Sequence, residues 1–562
     1  MKIIAFPEQV QLNPDGFENF GFVKDFTEIK SRVSLDFDKL LLVNEDYKLV
    51  YDWIYNRFGR FENIEATVKT DSGEEYQHYL DLSNMKFTDD RVEVGIQARK
   101  GTDHFFERAD GTTFELIRQQ GFLTDDLFTD VPFLIVPNNL QLQKIVAIML
   151  TISLIQQTRQ LAFEIQKLAA DSLDVLGTGA LTTIAKVIAF GLYVSLTIYQ
   201  LVLAFKQLRD LYFPKLLHFK ACSDYTLIKR GCEYLGFTLD SEFLYSKRKI
   251  HTLPKPLARG DLSIFDKLFN EYSGDFNNAY PSALDSTQTL WSLIEDYLQT
   301  YNLRIFVYNG VVKIEPRSYF VNAATIPIAE TFSQQDKRSR EWIYNDSEVF
   351  GRKYLRYSVD FTDYHSPDIS SGYQAEYISQ PISVLNADLV NLKGLNEYLI
   401  PFALGGRKNG LTGIEKVAKA LFTPIDLLIN LFGGQTLGSQ IDERNGVLLV
   451  ESLYFQQSKK LWLNSDGKQP ANYLDLLSVD KIYTDYHEDM EVNNNCKKLV
   501  TMKIPFTMDN FHSLLTNNFV ILDSGETVEV LNVKYKDRKY YAEITIAKND
   551  DSNFNVKTVK LT

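Results

Sequence analysis

Apolar and polar positions alternate at the start of the chain, give way to two long apolar runs, and alternate again toward the end. Val33-Ser34-Leu35-Asp36-Phe37 has the period of two of a half-buried strand. Residues 64–69 and 76–82 follow, joined through the turn-forming Asp71-Ser72-Gly73, and after Asp89-Asp90 comes a third strand candidate, 91–98. The pattern predicts a β meander with polar turns, as in small barrels and sandwiches, over residues 1–137.

The second block, 138–213, breaks that character. Residues 139–176 have helical spacing, and 145–155 carry no charge. Gly177-Thr178-Gly179 interrupts as a C-cap and turn would, and a second run follows over 180–212, uncharged from 187 to 205. Two helices of ~35 residues would each be ~50 Å long. Three readings compete for this inserted apolar helical hairpin. It is buried against itself and against copies in an oligomer, it inserts in a membrane on a trigger, or it is a constitutive anchor. Only 187–205 is long enough to span a bilayer, because Lys144, Gln156, Gln157 and Arg159 bracket the first apolar stretch. Burial in protein is the reading taken. The residues expected to form the interface or meet a membrane are Ile145, Ile148, Leu150, Ile152, Leu154, Val187, Phe190, Leu192, Val194, Ile198, Leu201 and Leu203.

Residues 214–335 read as mixed α/β. Ser286 or Asp285 is placed to cap a helix carrying Leu290, Leu293, Ile294, Tyr297 and Leu298, and Asn309-Gly310 then joins two strand patterns as a tight hairpin. Residues 336–500 look β-rich, with 353–361 alternating and a solvated loop over 362–372. This region holds a Gly-rich, partly helical insertion at 404–438, where Val417, Leu421, Ile425, Leu428 and Leu431 follow helical spacing around Pro424. A compact meander closes the chain over 501–562, with strands at 519–522, 528–535 and 540–547. The predicted class is therefore α+β multidomain and mainly β, with the hairpin inserted.

Composition supports that class. The 562 residues suggest several domains, and 31 Tyr with 38 Phe suit pleated, half-buried surfaces. The net charge of −13, without any cluster of Lys and Arg, argues against specific nucleic-acid binding. Cys222, Cys232 and Cys496 lack CxxC spacing, so buried free thiols are expected in place of a disulfide framework or zinc site. The apolar stretch before Pro7 is too short for a signal peptide, and synthesis in a cytoplasm is expected.

Chemistry-bearing motifs are few. The seven histidines stand singly, and HExxH, GxSxG, Walker and GxGxxG patterns are absent. Oxygen side chains at short spacing from Asp360 to Asp368 could hold a hard cation, but the closing acid of an EF-hand loop is missing, so a solvated loop is preferred. Gly405-Gly406 and Gly433-Gly434 read as turn glycines. No catalytic, cofactor or metal residue is assigned.

Three stretches carry a resemblance. The segment from Leu290-Trp291-Ser292-Leu293-Ile294-Glu295 through Asn309-Gly310 to Val311-Val312-Lys313-Ile314-Glu315-Pro316 is similar to helix-plus-hairpin units in tail-hub and tail-tip proteins of Bacteroides–Flavobacterium phages. Ile504-Pro505-Phe506-Thr507-Met508 through Asn532-Val533-Lys534-Tyr535 to Ala542-Glu543-Ile544-Thr545-Ile546 resembles their closing domain. The meander of 79–97 with Thr113-Phe114-Glu115-Leu116 resembles their opening domain. The resemblance implies a non-enzymatic structural virion protein at the distal, baseplate end of the tail. It would form a homo-oligomeric ring or plug, usually a trimer, touching tube, tape-measure and receptor-binding proteins, with transient membrane contact through the hairpin. Two rivals stay open: a membrane-associated bacterial transport or secretion protein anchored by 187–205, and a glycan hydrolase fused to an assembly domain.

Overall fold

The computed structural model describes residues 2–135, 216–253, 288–329, 341–344, 350–363, 374–381, 393–410, 444–450, 457–487, 497–536, 541–549 and 556–560, apart from short interruptions, and a few positions within 156–167. Sheet dominates, with helices packed on it.

Six antiparallel strands form the first sheet, in the order Val10–Leu12, Lys2–Ala5, Asn63–Lys69, Glu75–Phe87, Arg91–Ala98, Lys39–Val43. Alternation decides the inner face: Ile64, Ala66 and Val68 are buried beside Val92, Val94 and Ile96. The two ends of this sheet meet where the Asp15 N–H donates to the Leu41 carbonyl at 2.8 Å, so the sheet curls into a small barrel with that edge covered.

An eight-stranded sheet gathers segments far apart in the chain. Its path runs Ile326–Ile328, Phe519–Leu522, Thr527–Lys536, Tyr541–Asn549, Lys497–Pro505, Glu341–Tyr344, and Gly21–Asp25 joins on Thr527–Lys536. On the edge facing Tyr541–Asn549, Thr527–Lys536 shifts register between Val530 and Asn532, and its other edge takes two partners. The first part of Thr527–Lys536 pairs with Phe519–Leu522 and the second part with Gly21–Asp25, while the Phe26 N–H reaches the Leu531 carbonyl at 2.8 Å between them. The alternating 33–37 stretch lies here too, as the short strand Ser34–Leu35 on Gly21–Asp25. Residues from the expected first and last units thus share one sheet and one core. Phe22, fully buried, lies 4.6 Å from the Tyr76 ring and 6.0 Å from the Phe511 ring.

The helix Leu290–Thr300 and the hairpin after it form as the pattern predicts. All five named apolar helix positions are buried, and Asn309 and Gly310 both take positive φ, 47° and 75°, as a primed two-residue turn requires. The cap is a correction. Thr289, not Ser286 or Asp285, closes a reciprocal capping box with Ser292.

Two more corrections concern residues 358–410. Gly405 is no turn glycine. It lies between the short strands Ala403–Leu404 and Gly406–Arg407, and a Cβ there would collide with Leu448 and Leu461. The insertion expected at 404–438 therefore opens as strand, and its helical positions from Val417 to Leu431, with Gly433-Gly434, lie outside the described residues. Asp360 and Asp363, expected in a solvated loop, are 2% and 0% exposed.

Gly21 tests the cross-chain sheet. A Cβ there would overlap the Tyr535 backbone carbonyl. Gly21→Ala is expected to cost about 1–3 kcal/mol in chemical denaturation. A change below roughly 0.5 kcal/mol, the ordinary range for surface substitutions, would mean that Gly21–Asp25 is not docked there.

Candidate functional site

The densest chemistry among the described residues is internal. Strand Lys459–Trp462 runs between Ile250–Leu253 and Ala403–Leu404. Neighbouring strand residues point to opposite faces, so Lys459 and Lys460 send their ammonium groups in opposite directions. Lys459 Nζ lies 2.7 Å from Asp363 Oδ2 and 3.4 Å from Asp360 Oδ2, and all three side chains are fully buried. Lys460 Nζ lies 2.6 Å from Asp224 Oδ2 and 3.5 Å from Asp296 Oδ2, and donates to Thr252 Oγ1 at 3.0 Å. It also sits 3.9 Å from the Phe402 ring centroid, a desolvated cation–π contact. Tyr297 Oη donates to Asp224 at 3.0 Å. The carboxylates read from sequence as candidate cation ligands thus do meet a cation, which is the chain's own lysine.

Each lysine faces two carboxylates. Burial pushes the Asp296 carboxyl up, with Lys460 opposing and Asp224 reinforcing the shift. Thr300 and Tyr398 hydroxyls donate to Asp296 Oδ1 at 3.3 and 3.4 Å. Asp224 and Asp296 are the close carboxylate pair that a hydrolase would need, yet they are 0% and 3% exposed and share one lysine. Such a pair is closed to a glycan.

The histidines stay apart. His78 and His251 are buried, and burial lowers both. His218 meets Asp130 at 3.0 Å, and His512 meets the Tyr76 hydroxyl at 3.0 Å. Among the described residues, no group of three His, Cys, Asp or Glu is placed to hold a metal. Cys222 and Cys232 are buried free thiols, each pushed up to about 12 by burial.

Two surfaces carry exposed aromatic or apolar groups. Tyr51 and Tyr55, successive turns of helix apart, lie with tilted rings 4.3 Å apart beside Phe87 on the barrel. The strand Glu341–Tyr344 ends the path of the eight-stranded sheet, with Trp342 57% and Ile343 63% exposed. The twelve hairpin residues singled out in sequence, Ile145 to Leu203, lie outside the described residues. Those described within 156–167 are helical and mostly exposed, among them Phe163. Among the described residues, no helix is long and apolar enough to cross a membrane.

Sequence reasoning missed the lysine pair. Its signal was there: two adjacent lysines opening an apolar strand, Lys459-Lys460-Leu461-Trp462-Leu463, force one charge onto each face.

No protein-family model matches the chain, and no curated protein matches it. Among solved structures, it is similar to prophage tail protein gp18 from Listeria monocytogenes EGD-e, at 7% identity and a TM-score of 0.31, covering 98% of this chain and 96% of that one. It is also similar to the 43 kDa tail protein of prophage MuSo2 from Shewanella oneidensis, at 7% identity and a TM-score of 0.30, covering 97% and 96%. Scores of this size do not establish a shared fold.

Two outcomes are expected at the charged core. Lys460→Met leaves Asp224 buried without its cation and is expected to cost about 3–5 kcal/mol in denaturant titration. Asp296 has a folded-state pKa above its unfolded value, so its stabilisation is complete below the ordinary value of 3.8 and is lost as pH rises through the raised value. Asp296→Asn should therefore gain stability relative to the parent as pH rises above the ordinary value of 3.8. Parallel pH profiles for the two proteins would exclude that proton.

Proposed function

We propose that the chain is a structural component of a bacteriophage tail, at the hub or tip, where copies of it close into a ring at the distal end. The observation that carries this reading is the edge strand Glu341–Tyr344. Trp342 and Ile343 are consecutive, so they lie on opposite faces, and both are exposed. Three other end strands carry devices that blunt an edge. Ile326–Ile328 is short and holds Pro327, Leu217–Cys222 carries His218 and Lys220, and Val556–Lys560 carries Lys557 and Lys560. An end strand with exposed apolar side chains on both faces suits addition of a second copy, and in a closed ring that contact is heterologous.

The sequence resemblance adds the location and the trimer. It also supplies the tube, tape-measure and receptor-binding partners, and an origin in the host cytoplasm. In this reading the 138–213 segment faces the ring axis and meets the cell envelope at infection. The ion pairs are structural and the chain catalyses nothing.

Sedimentation of the full chain tests the edge. The double variant Trp342→Glu, Ile343→Lys should shift the oligomer to monomer with an unchanged melting temperature. An unchanged mass would remove this strand from the interface. Immunogold labelling of particles with an antibody to the C-terminal sheet should place gold at the tail end, and unlabelled particles would refute the virion reading.

A further inference from the structure

Lys459 lies in an apolar setting. It shares its sheet face with its two ladder partners, Leu253 and Ala403, and with Leu461, all of them buried. There its ammonium meets the carboxylates of Asp363 and Asp360, and none of the three side chains has any exposure. A buried ion pair is a poor state for both ions, because their attraction only partly returns the solvation they lose. A change that removed both charges and kept the contact would relieve that cost.

The geometry offers one. Lys459 Nζ donates to Asp363 Oδ2 at 2.7 Å, which brings the nitrogen close to the carboxyl carbon as well. Bond formation starts from reacting atoms about 3–3.5 Å apart, and a fold that holds them there acts as a very high local concentration. Asp360 Oδ2 lies 3.4 Å from the same nitrogen and accepts the Gln457 backbone N–H at 3.2 Å. It is a second carboxylate, fixed in place and near enough to carry a proton once the contact tightens. The absence of exposure also keeps out the water that would reverse a condensation.

We propose that Lys459 and Asp363 condense into an amide within the folded chain. Nζ gives a proton to Asp360 and attacks Asp363 Cγ, and the new C–N bond replaces one carboxyl C–O bond. The released oxygen leaves as water with two of the three ammonium hydrogens, one of them returned by Asp360. One positive and one negative charge disappear together, so no oxidant, reductant or activating group is needed. The hydrogen left on Nζ can donate to Asp360, which keeps the Gln457 N–H. The bond joins positions 96 residues apart, tying strand Lys459–Trp462 to the segment beyond Phe350–Tyr357.

The neighbouring lysine is held differently. Lys460 lies over the Phe402 ring and Tyr297 donates to Asp224, and both contacts favour the charged forms. Lys460 and Asp224 therefore stay an ion pair. The condensation happens once per chain and turns over no outside substrate, and it stands independently of the virion reading.

Intact-mass spectrometry of the purified full chain, denatured before injection, tests the bond. The parent should be lighter than its sequence by one water. Proteolytic mapping should recover the peptide holding Asp363 joined to the peptide holding Lys459. Lys459→Arg and Asp360→Asn, each checked for folding by circular dichroism, should keep the full mass. A folded parent at full mass would overturn the proposal without recourse to any variant. So would a missing water that maps elsewhere, to Lys460 with Asp224 or to a cyclised aspartate. A folded Asp360→Asn chain that still carries the link would overturn the proton transfer through Asp360.

Discussion

Two ammonium groups on one buried strand constrain this fold more than any other interaction in it. Neither Lys459 nor Lys460 can be dehydrated alone, because an unpaired buried charge costs several kcal/mol. Their partners come from separate places: Asp224 at the start of the helix Asp224–Tyr234, Asp296 in Leu290–Thr300, and Asp360 with Asp363 beyond Phe350–Tyr357. Strand Lys459–Trp462 cannot seat until those elements are in place. Ion pairs of this kind contribute little net stability compared with an apolar replacement, but a misplaced partner is heavily penalised. They act here as a check on register across more than 200 residues, from Asp224 to Lys460.

The other half of the molecule reaches the same end without charge. Gly21–Asp25 enters the sheet built from the chain's last segments beside Phe519–Leu522, each pairing with a different part of Thr527–Lys536 on one edge. Phe22 then sits between Tyr76 and Phe511, so barrel and sheet have a common core. A charged lock on one side and an aromatic one on the other tie distant parts of the chain together.

What could be read in advance follows from range. The helix Leu290–Thr300, the Asn309-Gly310 hairpin and the closing strands are set by period, cap and turn chemistry, all within about ten residues. Even there the cap moved, because Thr289 with Ser292 makes two reciprocal bonds. Long-range partnership has no such signature. Nothing in Asp360-Phe361-Thr362-Asp363 distinguishes a solvated turn from a lysine socket until Lys459 arrives, 96 residues later. Gly405 likewise reads as a turn glycine until Leu448 and Leu461 close over it.

The placement of the charges bears on function as well. Catalysis needs titratable groups held where a substrate can reach them. Here two pairs of carboxylates among the described residues, Asp224 with Asp296 and Asp360 with Asp363, are committed to lysines in the interior. Among the exposed groups are the paired tyrosines on the barrel and the end strand with Trp342 and Ile343. Apolar side chains on an unguarded edge are a hazard to a protein that stays alone and an asset to one that assembles. In the proposed ring, a rigid interior and an adhesive edge would complement each other, because an edge contact closes a ring at a fixed angle only if the body behind it does not bend.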